Sequence, residues 1–560
     1  FMYGPPPIDP TIGGQFPSTS PYTCGFVPNT DFRGGGGADS GACYFSDGKS
    51  CSGTGTCVDL ARNPQQSTPG RTCLEKGGLF VPNQTCGQMS PPPPPLNFCV
   101  GNGYYVWQRV VDQKVVPLTD PSVRTYISEI TNSSAIAWIN AQSGARKPWM
   151  ATVAYSNIHT PYQQPLTSLL PAGEPDTSGL SCAGNDPNNV AADRILSNQM
   201  AEAMDNEIGT LFVAIGLATY NTDGSLNYHP ETTNTTVVII GDNGTFAPGV
   251  KFPFDLGRAK GYVYQTGVWV PLIVAGPQVD APGRVVSSMV NIADLFQFFG
   301  EIAGLDVHQV VPQSHILDSV PMMPYLTHRN QPSLRSTNFT QDGNNIRLTT
   351  PPPCVIPLTD PPTCVQLFNQ QGICESEGGK WLPTYQSCCE IKNDPNSPYY
   401  NNLQVFPNKQ AATRNDSYKF VQITRPDCSL PDYMDVTTNE FYKINEDLLN
   451  PLIDREADNL CASPGCPNGL NGRDLENYNR LSASQDNTLN SEPKCPGDGN
   501  EDKVVDQADL DNWSFYSQIK EQPSGLTSSW YDFDKNGKTD DVDENIILTN
   551  LGTNCLSKKK

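Results

Sequence analysis

Residues 236–276 read TVVIIGDNGTFAPGVKFPFDLGRAKGYVYQTGVWVPLIVAG, and the rest of the chain is interpreted from this stretch outward. Two short β-branched runs, Thr236–Ile240 and Val268–Val274, frame a loop bearing Gly, Asp and Lys. An apolar run that ends in Gly-Asp-Asn-Gly reads as a buried strand of a parallel sheet. Open α/β sheets place their ligands just past the carboxyl ends of such strands. Asp242 and Asn243 offer adjacent hard oxygens suited to Ca²⁺ or Mg²⁺. Lys260, within Gly257-Arg258-Ala259-Lys260-Gly261, is a point charge suited to an oxyanion. Taken alone, Asp-Asn-Gly after a strand is most often a turn, and the lysine a solvated one.

The order of these parts changes the weighting. A strand closed by Asp-Asn-Gly, a Lys-Gly loop and then Val270-Pro271-Leu272-Ile273-Val274-Ala275-Gly276-Pro277 resembles the C-terminal half of a sulfatase active site. The resemblance runs from about Phe1 to Cys461, with insertions. It implies an α/β fold with a sulfatase-like mixed or parallel sheet flanked by helices, and a small C-terminal subdomain. By the same resemblance Asp242 and Asn243 would bind calcium and Lys260 the sulfate. Thr245 stands where a second Gly is usual, Gln265 where Glu is common and Trp269 where Arg is common. These read as changes behind the site.

Upstream, Trp149–Tyr155 reads as a strand leading into Ser156-Asn157-Ile158-His159-Thr160-Pro161. A lone loop histidine is most often structural or merely exposed. This His-x-Pro is similar to the sulfatase segment whose histidine contacts the sulfate, so the resemblance gives His159 that role. Ser122–Asn140 and residues 190–217 read as helices, the second with Met204, Ile208, Leu211, Phe212 and Ile215 along one face. Val290–Leu305 reads as another packed helix, and Leu317–Leu326 resembles the family's closing segment with Ser319 in place of Gly. The opening Phe1-Met2-Tyr3-Gly4-Pro5-Pro6 resembles a segment that lies past the early catalytic strands. The resemblance therefore places the nucleophile motif, Cys/Ser-x-Pro-x-Arg, outside these residues. Cys428-Ser429-Leu430-Pro431 comes nearest to it, without the spacing or the arginine.

Composition sets the outer limits. The chain has 560 residues, only 37% hydrophobic, with 51 Pro and 47 Gly. That pattern fits a compact core carrying long insertions. A formal charge of −22 argues against a nucleic-acid binder, because no basic stripe could neutralise phosphates. The 18 cysteines fall in local blocks without a zinc spacing, so disulfides in an oxidising compartment are expected. Asn-x-Ser/Thr sequons at Asn83, Asn132, Asn234, Asn243, Asn338, Asn415 and Asn512 lead us to expect N-linked glycans, except at Asn243, which is the metal ligand in this reading. No signal peptide or membrane span is visible. A secreted, extracellular glycoprotein is expected.

Residues 20–100 and 346–400 read as Cys-rich insertions within a core of residues 1–345 and a subdomain of residues 401–461. The two insertions share a pattern: Cys73-Leu-Glu-Lys-Gly-Gly-Leu-Phe-Val-Pro with Cys86 resembles Cys374-Glu-Ser-Glu-Gly-Gly-Lys-Trp-Leu-Pro with Cys388. They read as a small duplicated disulfide motif for surface contacts. Residues 462–494 are polar and read as a linker.

The tail, residues 495–557, carries the most specific spacing. Asp498, Asn500, Asp502, Val504, Asp506 and Asp509 occupy positions 1, 3, 5, 7, 9 and 12 of a calcium loop, with Val504 supplying a backbone carbonyl. Asp532, Asp534, Asn536, Lys538, Asp540 and Asp543 repeat the register. Asp at position 12 and a short helix after each loop resemble a dockerin pair, an adhesion module, which implies a small α-helical unit and a protein partner. Lys503 replaces the usual Gly of the first loop.

Three functions remain open at this point. One is a sulfuric ester hydrolase acting on a sulfated ester or polysaccharide, if a nucleophile segment completes it. By the family scheme a formylglycine hydrate would attack sulfur, calcium and Lys260 would stabilise the oxyanions, and His159 would assist the leaving group. A second is a non-catalytic structural or adhesive glycoprotein on a sulfatase scaffold. A third is a related phosphatase or phosphodiesterase, against which the Lys260 loop and the His-x-Pro weigh.

Overall fold

The four strands that end the candidate site's own unit show the fold's logic most plainly. Asn338–Asp342, Lys409–Arg414, Tyr418–Pro426 and Asp435–Lys443 form one antiparallel sheet in that order. Alternate residues of a strand face opposite sides. Tyr418 and Phe420, with Phe441 of the last strand, face the helix Gly472–Leu489 through its Tyr478 and Leu481. Val421, Ile423 and Tyr442 face the other way, onto Tyr262, Val263 and Tyr264. Asn415 sets the central hairpin, its side-chain oxygen accepting the N–H groups of Ser417 and Tyr418 at 3.0 and 2.8 Å.

The computed structural model describes residues 40–49, 53–61, 127–144, 146–159, 165–175, 190–311, 317–342, 351–357, 361–366, 379–430, 433–445, 451–490, 495–499, 504–517 and 539–555, with isolated residues and short strands between these spans. The chain divides into two compact units. The first comprises Phe1–Thr235, Pro351–Ile391 and Asn396–Gln404, and the second Thr236–Thr350, Lys392–Pro395 and Val405–Lys560.

In the second unit, Val237–Ile240 pairs with Leu272–Ala275. The pair is antiparallel, not the parallel arrangement expected from sequence, because the chain turns back within one loop. Every strand pair whose register is described is antiparallel. Leu295 and Phe298 of the helix Asp294–Ile302 cover this pair through Val238, Ile240, Leu272 and Val274. Asp294 anchors that helix by accepting from the Asn291 and Val320 N–H groups and pairing with Arg335. The segment 462–494, expected as a linker, contains instead the helix that roofs the sheet. Its polar average concealed the few apolar side chains, Tyr478 and Leu481, that pack.

The described residues of the first unit include the long helices Ile127–Gly144 and Val190–Ala214 and two disulfide-stapled sheets. The region expected as a strand, Trp149–Tyr155, has no regular structure. In the first stapled sheet, Ser40–Ser46 runs between Thr54–Ala61 and Leu79–Pro82, both antiparallel to it. In the second, Cys354–Ile356 runs between Thr363–Val365 and Lys380–Trp381, again antiparallel. Cys43–Cys73 and Cys57–Cys86 staple the first; Cys354–Cys374 and Cys364–Cys388 staple the second in the same pattern. A Cβ on Gly78 would meet the Cys43 sulfur at 2.5 Å, and one on Gly379 the Cys354 sulfur at 2.4 Å. Asp59, two residues past Cys57, accepts the Cys86 N–H; Gln366, two past Cys364, accepts that of Cys388. The two insertions are one motif used twice.

Candidate functional site

Three backbone segments of the second unit are laced together at the end of the Val237–Ile240 strand. Gly241 N–H donates to the Pro271 carbonyl at 3.1 Å, Gly244 to Gly267 at 2.8 Å and Thr245 to Thr266 at 3.1 Å. Lys260 N–H then donates to the Thr245 carbonyl at 2.9 Å. The spacing allows no side chain at the glycine of Asp-Asn-Gly: a Cβ on Gly244 would lie 2.2 Å from the Thr266 carbonyl oxygen. The structure therefore brings Asp242, Asn243 and the Lys260 loop into one piece of backbone. Asp242 and Asn243 are exposed, and an Asp242 oxygen accepts the Asn243 N–H at 2.8 Å. Lys260 is half-buried, and among the described residues its ammonium has no hydrogen bond or ion pair.

The backbone on both sides of Lys260 is sunk into the core. Arg258, Ala259 and Tyr262 to Gln265 are all buried, while Gly261, at φ +91°, makes a left-handed turn between them and is exposed, with Lys260 half-buried beside it. Arg258 stacks its guanidinium 4.0 Å from the Tyr264 ring centre and donates to the Tyr442 hydroxyl and the Asp454 carbonyl, both at 2.7 Å. One Glu440 oxygen accepts the hydroxyls of Tyr264 at 2.7 Å and Tyr442 at 2.5 Å. The Asp454 carboxylate receives the Gln265 N–H on both oxygens, at 3.0 and 2.9 Å, and the Lys419 ammonium at 2.7 Å. Gln410 donates to the Gly261 carbonyl at 2.9 Å and accepts the Val263 N–H at 3.4 Å.

Burial acts on four groups of this network. It drives the Tyr264 and Tyr442 hydroxyls above the usual phenol range, and Glu440 adds to the effect. It holds the Lys419 ammonium below the usual lysine value, outweighing its partner Asp454. For Arg258 burial acts downward, but Tyr264, Tyr442 and Glu440 together raise it. Reading by motif missed Asp454, Gln410 and Lys419, which belong to no short pattern. The one available signal was the Tyr-Lys of the 418–426 strand, a lysine on the same face as Val421.

The departures from the family pattern have local explanations. Thr245 works through its backbone. Gln265 gives its N–H to Asp454, and its side-chain nitrogen is buried without a described partner. Trp269 sits edge-on to Phe254 with ring centres 6.2 Å apart.

His159 belongs to the first unit, whereas Asp242, Asn243 and Lys260 belong to the second. His159 is exposed, and its N–H closes a turn onto the Ser156 carbonyl at 2.9 Å. Asn157 fixes that turn, accepting from the Ser128 hydroxyl at 2.8 Å and donating to the Met200 carbonyl at 3.0 Å. The same helix pair buries Glu207, whose carboxyl is pushed up to about 7 by burial and by Glu129, against an opposing hydrogen bond from Asn132.

In the tail, Asn500, Asp502, Asp532, Asp534, Asn536 and Lys538 lie outside the described residues. The remaining positions repeat one another. Asp509, fully buried, accepts the N–H groups of Gly499 and Asp506, each at 2.9 Å. Asp543, also fully buried, accepts those of Phe533 and Asp540 at 2.6 and 2.9 Å. The helices Gln507–Ser517 and Asp541–Asn550 follow. Val505, Tyr531 and Ile547 form the core between the halves, and Val504 bridges to Asn554. Cys495–Cys555 staples the ends. Asp498 lies nearly buried in the first half. Among the described residues, no group of three or more His, Cys, Asp or Glu side chains could hold a metal ion.

The chain is similar to sulfatases over about a third of its length. It is 25% identical over 162 residues to Arylsulfatase K of Xenopus laevis, a match covering 29% of this chain and 27% of that protein. It is 28% identical over 181 residues to a protein named Sulfatase from Formosa agariphila, covering 32% of this chain and 30% of that protein. Each match thus spans less than a third of the relative's length. A solved structure described as "Crystal structure of Ps i-CgsB" aligns with 55% of this chain and 48% of its own, at 18% identity and a TM-score of 0.34. No protein-family model matches the chain.

Proposed function

We propose that this chain is a member of the sulfatase family that binds sulfate esters at the Lys260 loop and contributes to their hydrolysis. One observation carries the reading. A half-buried lysine without a described counter-ion is bonded through its backbone to the segment that presents Asp242 and Asn243. The similarity to two sulfatases supports it. In this reading the Lys260 ammonium binds a sulfate oxygen and holds the ester against the developing negative charge.

Calcium fits the donor chemistry of Asp242 and Asn243, which are hard oxygens with free lone pairs on an exposed turn. Two donors are only part of the six to eight that calcium takes. When bound, the ion would neutralise sulfate charge. In the tail, the matched hydrogen bonds of Asp509 and Asp543 support two related calcium loops, in which Asp498, Asp506 and Asp540 would join the residues outside the described set. A protein partner for that module belongs to the same proposal.

The disulfides support an extracellular setting, and no described helix is long and apolar enough to cross a membrane. N-linked glycan fits Asn234 and Asn512, which are exposed. It does not fit Asn132, which is buried with its amide bonded to the Glu207 carbonyl.

The test is release of sulfate from an aryl sulfate ester by protein purified from its natural source. Release that a calcium chelator abolishes is expected. Intact protein that binds the ester yet never releases sulfate would overturn the hydrolytic part.

A further inference from the structure

We propose that Gln410, with Asp454 behind it, is a positioning residue that sets where the Lys260 ammonium stands; this rests on Lys260 being the sulfate ligand. The strongest observation is the direction of the polar contacts. Arg258, Gly261, Val263, Tyr264 and Gln265 each bond to side chains or backbone of residues 410–454. Lys260, in their midst, makes no such bond among the described residues; its N–H donates to Thr245, earlier in the chain. The four-stranded sheet therefore grips the loop on both sides of the lysine and leaves the lysine itself to the site.

Gln410 is the most specific grip. It is 1% exposed, on the sheet face shared with Ala412, where an aliphatic side chain would pack without burying an amide. Its amide nitrogen instead holds the Gly261 carbonyl, and also reaches an Asp342 oxygen at 3.2 Å. Its amide oxygen holds Val263. These bonds pin the turn from Gly261, the residue next to Lys260, to Val263. No side chain can relieve the turn, since Gly261 lies at φ +91°. Asp454 supplies the outer clamp, with its carboxylate on the Gln265 N–H and its carbonyl on Arg258. Sites held on rigid elements lose binding when their supporting contacts are loosened by about an ångström.

The test is a thermodynamic cycle read by calorimetric titration of inorganic sulfate into the full chain. The proteins compared are the wild type, Lys260→Ala, Gln410→Leu and the double variant. Gln410→Leu is expected to weaken sulfate binding about tenfold in the wild-type background and to have no further effect in the Lys260→Ala background. An equal loss in both backgrounds means a merely structural role and overturns the proposal, as does no loss in either. If Lys260→Ala weakens sulfate and Gln410→Leu does not, the positioning role falls and Lys260 keeps its part. If Lys260→Ala has no effect, the sulfate reading falls and takes this proposal with it. Gln410→Glu, which keeps the shape and the acceptor for Val263 but removes the donor to Gly261, gives the same cycle should Gln410→Leu fail to fold.

Discussion

The two stapled sheets of the first unit and the Lys260 loop of the second solve one problem by opposite means. Each must hold a stretch of backbone in a fixed shape. The stapled sheets do it covalently. Around Cys43 and Cys73 the core consists of the disulfide with Phe45 and Leu60 beside it. The Lys260 loop has no disulfide; a buried set of paired charges and hydrogen bonds from Arg258, Glu440, Asp454, Lys419 and Gln410 holds it. A staple restricts the unfolded chain and tolerates change around it. A buried network fixes direction, and it fails if one member is lost.

Breaking each device should show that contrast. Lys419→Met leaves Asp454 buried without its counter-charge, and the second unit should lose about 3–5 kcal/mol. Scanning calorimetry would show this as a fall in that unit's transition. Replacing Asp454 by Leu as well should restore part of the stability while leaving the Gln265 N–H unmet. A Lys419→Met protein as stable as wild type would mean that the network is not the clamp described above.

Removing Cys43–Cys73 by paired Ser substitution should cost about 3 kcal/mol, and removing Cys354–Cys374 the same to within about half a kcal/mol. The closed loops differ little, spanning 30 and 20 residues. Gly78→Ala and Gly379→Ala should cost about 1–3 kcal/mol each, because each Cβ would meet a disulfide sulfur. Unequal costs in denaturant melts would break the claim that the two sheets are one motif repeated.

How much of this was legible in the sequence follows the same division. The repeated Cys and Gly-Gly pattern was readable because a staple requires fixed residue types at fixed spacings. Asp242, Asn243 and Lys260 were singled out by the order of motifs around them, and the structure joins their backbones through Gly244, Thr245 and the Lys260 N–H; their roles remain proposals. The direction of the Val237–Ile240 pair was not readable, since an apolar run looks the same in parallel and antiparallel sheets. The helix Gly472–Leu489 was hidden by its polar average. Gln410 and Asp454 act across more than 140 residues, and no local pattern announces a contact of that range.

The smallest effect separates a functional from a merely buried carboxylate. Glu207 has its folded pKa raised to about 7, chiefly by burial. Its ionisation therefore costs stability that is absent below the ordinary carboxylate range and grows as pH rises from there through about 7. Glu207→Gln should raise stability by about 1–2 kcal/mol at pH 8 and by nearly nothing at pH 4. Thermal melts at the two pH values would read it, and equal shifts at both would contradict the burial argument.

The most direct test of the central claim is the affinity of the intact chain for inorganic sulfate, with and without Lys260. Calorimetric titration should show binding that Lys260→Ala weakens at least tenfold, which is about 1.4 kcal/mol. Equal affinity in the two proteins would contradict the assignment of this loop as a sulfate site.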